Sequence, residues 1–287
     1  MTTPQYQESL EHINNFEIFT RSWEVPSPKA ILFFQHGYGE HSGRYIENIG
    51  NYFSTKNYTV YMMDLPGHGK SSGLPNTAKT YIDSFETYIT TVNAFIDMRK
   101  AQLLHTNINV PLFFSGHSMG GLITCMLSTR RNDITAFVAF SPALVLNSLL
   151  VQLFFWVFYI LAFFFPQIII KTTPPDTFFT NKQKAKDFEK DPLDLCSCAC
   201  VKTSLEMRKF GALEKEKDVT VPMYLLQGAQ DALVKVDGAR DKSKHFKNKF
   251  SKYSEYPAGN HTLLEEDYYL EIVEDVEKWL DSLINQN

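Results

Sequence analysis

The stretch Ser115-Gly116-His117-Ser118-Met119-Gly120-Gly121 limits most severely what this chain can fold into. Before it stands an apolar run, Val110-Pro111-Leu112-Phe113-Phe114, which reads as a buried strand. After it, Leu122-Ile123-Thr124-Cys125-Met126-Leu127 reads as a helix that is apolar on most of its surface. A serine between glycines at i−2 and i+2, on a strand-to-helix turn, fits the nucleophile elbow Gly-x-Ser-x-Gly. Gly116 and Gly120 are needed because side chains there would collide with the neighbouring strand and helix. Ser118 then projects its hydroxyl from the tip of the turn. The new helix supplies free N–H groups and a positive dipole end for a developing oxyanion. The plainer reading, a glycine-rich loop with an inert serine, is tested against the rest of the chain.

Strand and helix patterns alternate on either side of the elbow. Ala30–Phe34, Tyr58–Met63, Ile134–Phe140, Val221–Leu226 and Ser251–Tyr256 read as strands, and Phe16–Trp23 as an exposed-edge strand. A helix with Ile46, Ile49 and Phe53 follows the second of these six in chain order. A long amphipathic helix is expected over about 81–104, a lysine-studded helix over 237–250, and a final amphipathic helix carrying Tyr269, Ile272, Val276 and Leu280. Buried strands alternating with helices imply an α/β fold, a mostly parallel central sheet with helices on both faces. The alternation is interrupted between about Pro142 and Val219. We therefore expect core residues 1–141, an inserted helical lid at 142–218, and the rest of the core at 219–287.

The insertion opens on a nearly unbroken apolar run, Leu149–Ile170. Its length could suffice to span a bilayer. Spanning would, however, put the elbow and the later strands on opposite sides of the membrane, although they must share one sheet. Two readings remain: a lid whose aromatic face rests on a lipid surface, or a helix buried on its own core. A lysine-rich helix and Cys196-x-Cys198-x-Cys200 follow. That spacing suits neither a disulfide framework nor a common zinc pattern, so free thiols of a reducing compartment are expected. A net charge of −4 gives no sign of nucleic acid as a partner. The polar N-terminus has no secretory pattern, and we expect a cytoplasmic protein with peripheral membrane contact through 149–170.

A serine hydroxyl needs a base, and the base needs an orienting acid. In this kind of sheet the chain order is Ser, then acid, then His, each at the carboxyl end of a strand. From the elbow onward the histidines are His117, His245 and His261. His117 adjoins the serine and points elsewhere, and His245 sits in a solvated basic stretch. His261 ends a strand in a Gly-Asn loop and is the expected base. Asp231 ends the strand before it and is the expected acid. Backbone N–H groups of Met119 and of Tyr38, in the loop after Ala30–Phe34, are the expected oxyanion donors. Asp64-Leu-Pro-Gly-His-Gly-Lys-Ser71 contains Asp and His, but reads as a turn that braces the site. No cofactor or metal is called for.

With these residues in place the chain resembles the α/β-hydrolase family, and within it the monoacylglycerol lipase branch. The similarity rests on His36-Gly-Tyr-Gly-Glu-His-Ser-Gly-Arg-Tyr45, Asp64-x-Pro-Gly-His-Gly-x-Ser71, Gly116-His-Ser-Met-Gly-Gly121, Asp191-Pro-Leu193, Leu226-Gln-Gly-x-x-Asp231 and Asn260-His261. It implies Ser118, Asp231 and His261 as a triad, with Tyr38 and Met119 as oxyanion donors. It implies a lipid ester substrate, foremost a monoacylglycerol cleaved to glycerol and fatty acid. Lysophospholipases and general carboxylesterases use the same triad. Acyl transfer and a non-catalytic binding protein on the same scaffold are the remaining classes. The mammalian enzyme has alanine where this chain has Tyr38, so a narrower head-group end is expected. The insertion matches in placement and hardly in sequence.

Overall fold

The structure is a computed structural model that describes residues 5–104, 108–147, 155–171, 174–177 and 179–284. Its centre is an eight-stranded sheet in the order β1-β2-β4-β3-β5-β6-β9-β10. The strands are β1 (Gln7–Ile13), β2 (Phe16–Trp23), β3 (Ala30–Gln35), β4 (Tyr58–Met63), β5 (Leu112–His117), β6 (Ala136–Phe140), β9 (Met223–Gly228) and β10 (Lys252–Tyr256). The first two join antiparallel, β2 pairs antiparallel with β4, and every other pairing in the sheet is parallel. This is the mostly parallel α/β sheet expected from the sequence.

Both faces of the sheet are covered, which explains the unbroken apolar strands. On β3, Ile31 and Phe33 enter one core and Leu32 and Phe34 the other. Successive side chains of a strand point to opposite faces, so a strand buried on both must be apolar at every position. The first core is closed by helix α2 (Glu86–Leu104), through Tyr88, Val92 and Phe95, and by α3 (Met119–Ser128). The second is closed by α8 (Tyr269–Ile284), through Ile272, Val276 and Leu280 at helical spacing. Each such side chain contributes roughly 2 kcal/mol on burial.

Three expectations are corrected. Phe16–Trp23 is not an edge strand: seven of its eight residues are buried. The edge is β1, which pairs with it along its whole length and whose polar residues hid it in the sequence. The helix expected to carry Ile46, Ile49 and Phe53 is a 3-10 turn (Ser42–Tyr45), a π-helical turn (Ile46–Asn51) and one α turn, α1 (Tyr52–Thr55). The helix expected over 237–250 is α7 (Val236–Ser243) and ends early. Past it, Val219 N–H bonds His245 O and Lys247 N–H bonds Val219 O, drawing the chain out of the helix. Within the basic stretch that holds His245, Lys242 is buried, and its ammonium donates to the carbonyls of Glu214 and Lys217.

Between β6 and β9 the chain leaves the sheet. It forms α4 (Phe155–Phe164), β7 (Ile169–Lys171), α5 (Lys182–Lys190), β8 (Cys198–Cys200) and α6 (Val201–Glu214). Strands β7 and β8 pair antiparallel. Residues 149–154 of the apolar run lie outside the described residues. Among those described, no helix is long and apolar enough to cross a membrane. All four cysteines are free thiols.

Candidate active site

The elbow is built as its glycines require. Ser118 follows β5 with φ 54° and ψ −112°, outside the regions an L-residue prefers. Such a conformation costs on the order of 1–3 kcal/mol and persists only where its surroundings hold it. Here Ser118 N–H donates to Phe140 O (2.9 Å), and Ser118 O accepts from Ala143 N–H (3.0 Å) and Leu122 N–H (2.9 Å). A Cβ on Gly120 would lie 2.2 Å from Gln35 O, and one on Gly116 would lie 2.4 Å from Gly120 O. No side chain fits at either position.

Asp231 and His261 arrive from the ends of β9 and β10. His261 Nε2 is 2.9 Å from Ser118 Oγ, and His261 Nδ1 is 2.8 Å from Asp231 Oδ2. Asp231 Oδ2 also accepts from Gln227 Nε2 (2.8 Å), while Oδ1 accepts from the N–H groups of Leu233 and Val234 (2.9 Å each). Three of the groups around the carboxylate are fixed donors. The carboxylate therefore accepts from His261 as well, which puts the imidazole proton on Nδ1 and leaves Nε2 bare toward the serine. Both side chains are buried. Asn260 Oδ1 holds the loop by accepting from Ala232 N–H (3.2 Å) and His261 N–H (2.8 Å).

The loop after β3 comes close to the nucleophile: a Cβ on Gly37 would stand 3.0 Å from Ser118 Cβ. Gly37 N–H is engaged by Glu40 Oε2 (2.8 Å), so Tyr38 supplies the next N–H along the loop. Met119 opens α3, where unsatisfied N–H groups and the helix dipole favour negative charge. The Tyr38 phenol lies between Thr80 Oγ1 and Cys200 N–H, each 2.7 Å away. Asp64 takes N–H groups of Ser42 (2.8 Å) and Lys70 (2.9 Å), the bracing turn expected of its motif. His245 bonds Asp218 (3.0 Å) in a turn.

A buried group behind the serine was not read from the sequence. His117 Nε2 faces the backbone oxygen of His261 (3.1 Å), an acceptor. His117 Nδ1 faces Tyr45 Oη (2.9 Å) and Glu40 Oε2 (3.4 Å). Tyr45 already donates its proton to Glu40 (2.6 Å). Both ring nitrogens of His117 therefore carry protons, making a buried imidazolium beside a carboxylate. Burial alone would lower the His117 pKa, but the charge and hydrogen bond of Glu40 raise it above 6.5. Burial alone would raise Glu40, but His117 and Arg44 hold it well below the usual carboxylate range.

The sign of the pH effect follows from these directions. A raised imidazole pKa contributes stability that is full below about 6.5 and lost as pH rises through the folded value. The lowered carboxylate pKa adds stability above about 4.3, lost only in strong acid. The melting-temperature margin of the wild type over His117→Gln should therefore be widest near pH 6 and shrink toward pH 9. Melting curves across that range check this, and a margin that widens with pH contradicts a charged pair.

Comparison with known proteins bears on the family and the fold. The profile of the family described as serine aminopeptidase, S33, matches residues 26–268. The human monoglyceride lipase is 29% identical over 250 residues, covering 83% of this chain and 78% of its own. The monkeypox virus protein named monoglyceride lipase homolog is 27% identical, covering 94% of this chain and 96% of its own. The crystal structure of a soluble variant of the Saccharomyces cerevisiae monoglyceride lipase superposes with a TM-score of 0.84 at 18% identity, over 99% of this chain and 96% of its own. The last shows the shared fold. With the profile running from before β3 to the threshold of α8, the chain belongs to the serine aminopeptidase, S33, family of α/β-hydrolases.

Proposed function

We propose that the protein is a carboxylic ester hydrolase that cleaves monoacylglycerol to glycerol and a free fatty acid, with Ser118 as nucleophile, His261 as base and Asp231 as its orienting acid. The observation that carries this reading is the unbroken line from Ser118 Oγ through His261 to the Asp231 carboxylate. The monoglyceride lipases among its relatives support the substrate class.

Ser118 Oγ attacks the ester carbonyl as its proton passes to His261 Nε2. The carbonyl oxygen becomes an oxyanion and takes the N–H groups of Tyr38 and Met119. The C–O bond to glycerol breaks, and the glycerol oxygen leaves with the proton from His261. Water then gives a proton to His261, attacks the acyl carbonyl and releases the fatty acid, returning the proton to Ser118.

On this reading residues 142–218 act as a cap on the core formed by 1–141 and 219–287. The cap touches a lipid surface, in a protein of the reducing, cytoplasmic compartment. Trp156, Phe163 and Phe164 of α4 are 71%, 80% and 67% exposed. Covering each gains roughly 2 kcal/mol, so three give about 6, above the ~4 kcal/mol at the low end of association costs.

Turnover of a monoacylglycerol, a lysophosphatidylcholine and a short nitrophenyl ester, each measured in solution and in phosphatidylcholine vesicles, tests the proposal. The highest kcat/KM is expected on the monoacylglycerol, with a gain on vesicles. Preference for the lysophospholipid contradicts the head-group assignment.

A further inference from the structure

Three hydrogen bonds join the loop after β3 to one short piece of the insertion. Leu195 N–H donates to Gly39 O (2.7 Å), Cys196 Sγ donates to Tyr38 O (2.7 Å), and Cys200 N–H donates to Tyr38 Oη (2.7 Å). The contact is close in packing as well. A Cβ on Gly39, whose φ is +71°, would lie 2.6 Å from Cys196 N. The backbone around Tyr38 is thus pressed against residues 195–200, which the sheet itself does not contain.

The phenol ties this arrangement to the rest of the core. Burial pushes its pKa well above the ordinary range, so it keeps its proton. It accepts from Cys200 N–H and shares a second hydrogen bond with the Thr80 hydroxyl (2.7 Å). Thr80 is a firm anchor. Its φ is +64°, its N–H bonds Gly67 O (3.0 Å), and its carbonyl accepts from Thr203 Oγ1 (2.9 Å) at the start of α6. The ring also stands edge-on to the buried His68, at 5.7 Å between centroids. One side of Tyr38 is therefore fixed at its carbonyl by Cys196, and the other at its hydroxyl by Cys200 and Thr80.

We propose that the Tyr38 side chain is a positioning group: its hydroxyl, tied to Thr80 and to the 195–200 piece of the insertion, aims the Tyr38 N–H at the oxyanion. This rests on the reading that Tyr38 N–H is an oxyanion donor. The insertion then completes the reaction centre as well as covering it. A misplacement of about 1 Å in a catalytic group costs on the order of a hundredfold, so loss of one tie among several should cost about tenfold. The loss should appear in kcat, because the oxyanion exists only after attack.

The test uses the full chain, Tyr38→Phe and Ser118→Ala, with p-nitrophenyl butyrate as a soluble substrate. A trifluoromethyl ketone serves as inhibitor, since its adduct places an oxyanion where the reaction would. For Tyr38→Phe we expect kcat about tenfold lower, KM within twofold of the wild type, and inhibitor Ki about tenfold higher. Unchanged kcat and Ki overturn the inference. So does a fall in kcat with unchanged Ki and a lowered melting temperature, which marks general loosening. Near-normal turnover by Ser118→Ala sinks the functional reading itself, whatever Tyr38→Phe does, so the two failures are separable.

Discussion

Ser118→Ala should lower kcat on monoacylglycerol by about 10⁵ to 10⁶, with little change in KM. The alanine methyl occupies nearly the same space and keeps the elbow, since the bonds that hold this turn come from the backbone of residue 118. What is lost is the oxygen 2.9 Å from His261 Nε2. A residue of catalysis should survive through the oxyanion donors and substrate binding, because neither uses the serine side chain. Steady-state rates with fatty acid release as readout check this. A loss under tenfold would mean that another group carries the reaction.

Asp231→Asn should lower kcat by about 10⁴ near neutral pH without unfolding the chain. The local hydrogen bonds force this outcome. The two N–H groups of Leu233 and Val234 require an oxygen at Oδ1, so the new amide places its NH₂ at the Oδ2 position. There it meets the Gln227 Nε2 donor and the His261 Nδ1–H, donor against donor. His261 relieves the clash by moving its proton to Nε2, which then faces Ser118 with no lone pair to take the hydroxyl proton. An imidazole NMR spectrum showing the exchanged tautomer, alongside the rate, checks the mechanism. Retention of more than a tenth of wild-type kcat would contradict the orienting role.

How legible these features were in the sequence depended on how local their causes were. Ser118, Asp231 and His261 were readable because each sits at a strand end, and strand ends in this chain are marked by apolar runs stopping at glycine or polar residues. Gly116 was readable because a side chain there would strike the next turn of backbone at Gly120 O, and Gly120 through the elbow pattern, although the atom it would strike, Gln35 O, lies on β3. The Glu40–Tyr45–His117 group was not readable. Its members come from the loop after β3 and the end of β5, and only the folded sheet brings them together. The string holding Glu40 and Tyr45 stood out without revealing what they touch.

The edge of the sheet was missed for a similar reason. β1 has the composition of a solvated tail, and only pairing with β2 makes it a strand. The insertion read as helical, yet three-residue β7 and β8 are too short to show a period of two. β8 carries the Cys200 N–H that bonds Tyr38, so the least legible part of the chain is also joined to the loop after β3. The larger Tyr38 side chain was expected to act through its bulk at the head-group end. Its hydrogen bonds to Thr80 and Cys200 add a second route, through the loop's own position.

Fluorophosphonate labelling of the native protein, followed by mass spectrometry of its peptides, tests Ser118 as the nucleophile. One stoichiometric adduct is expected, on Ser118, formed in step with the loss of monoacylglycerol hydrolysis. An adduct on another residue that abolishes hydrolysis, or full hydrolysis by protein labelled at Ser118, would contradict it.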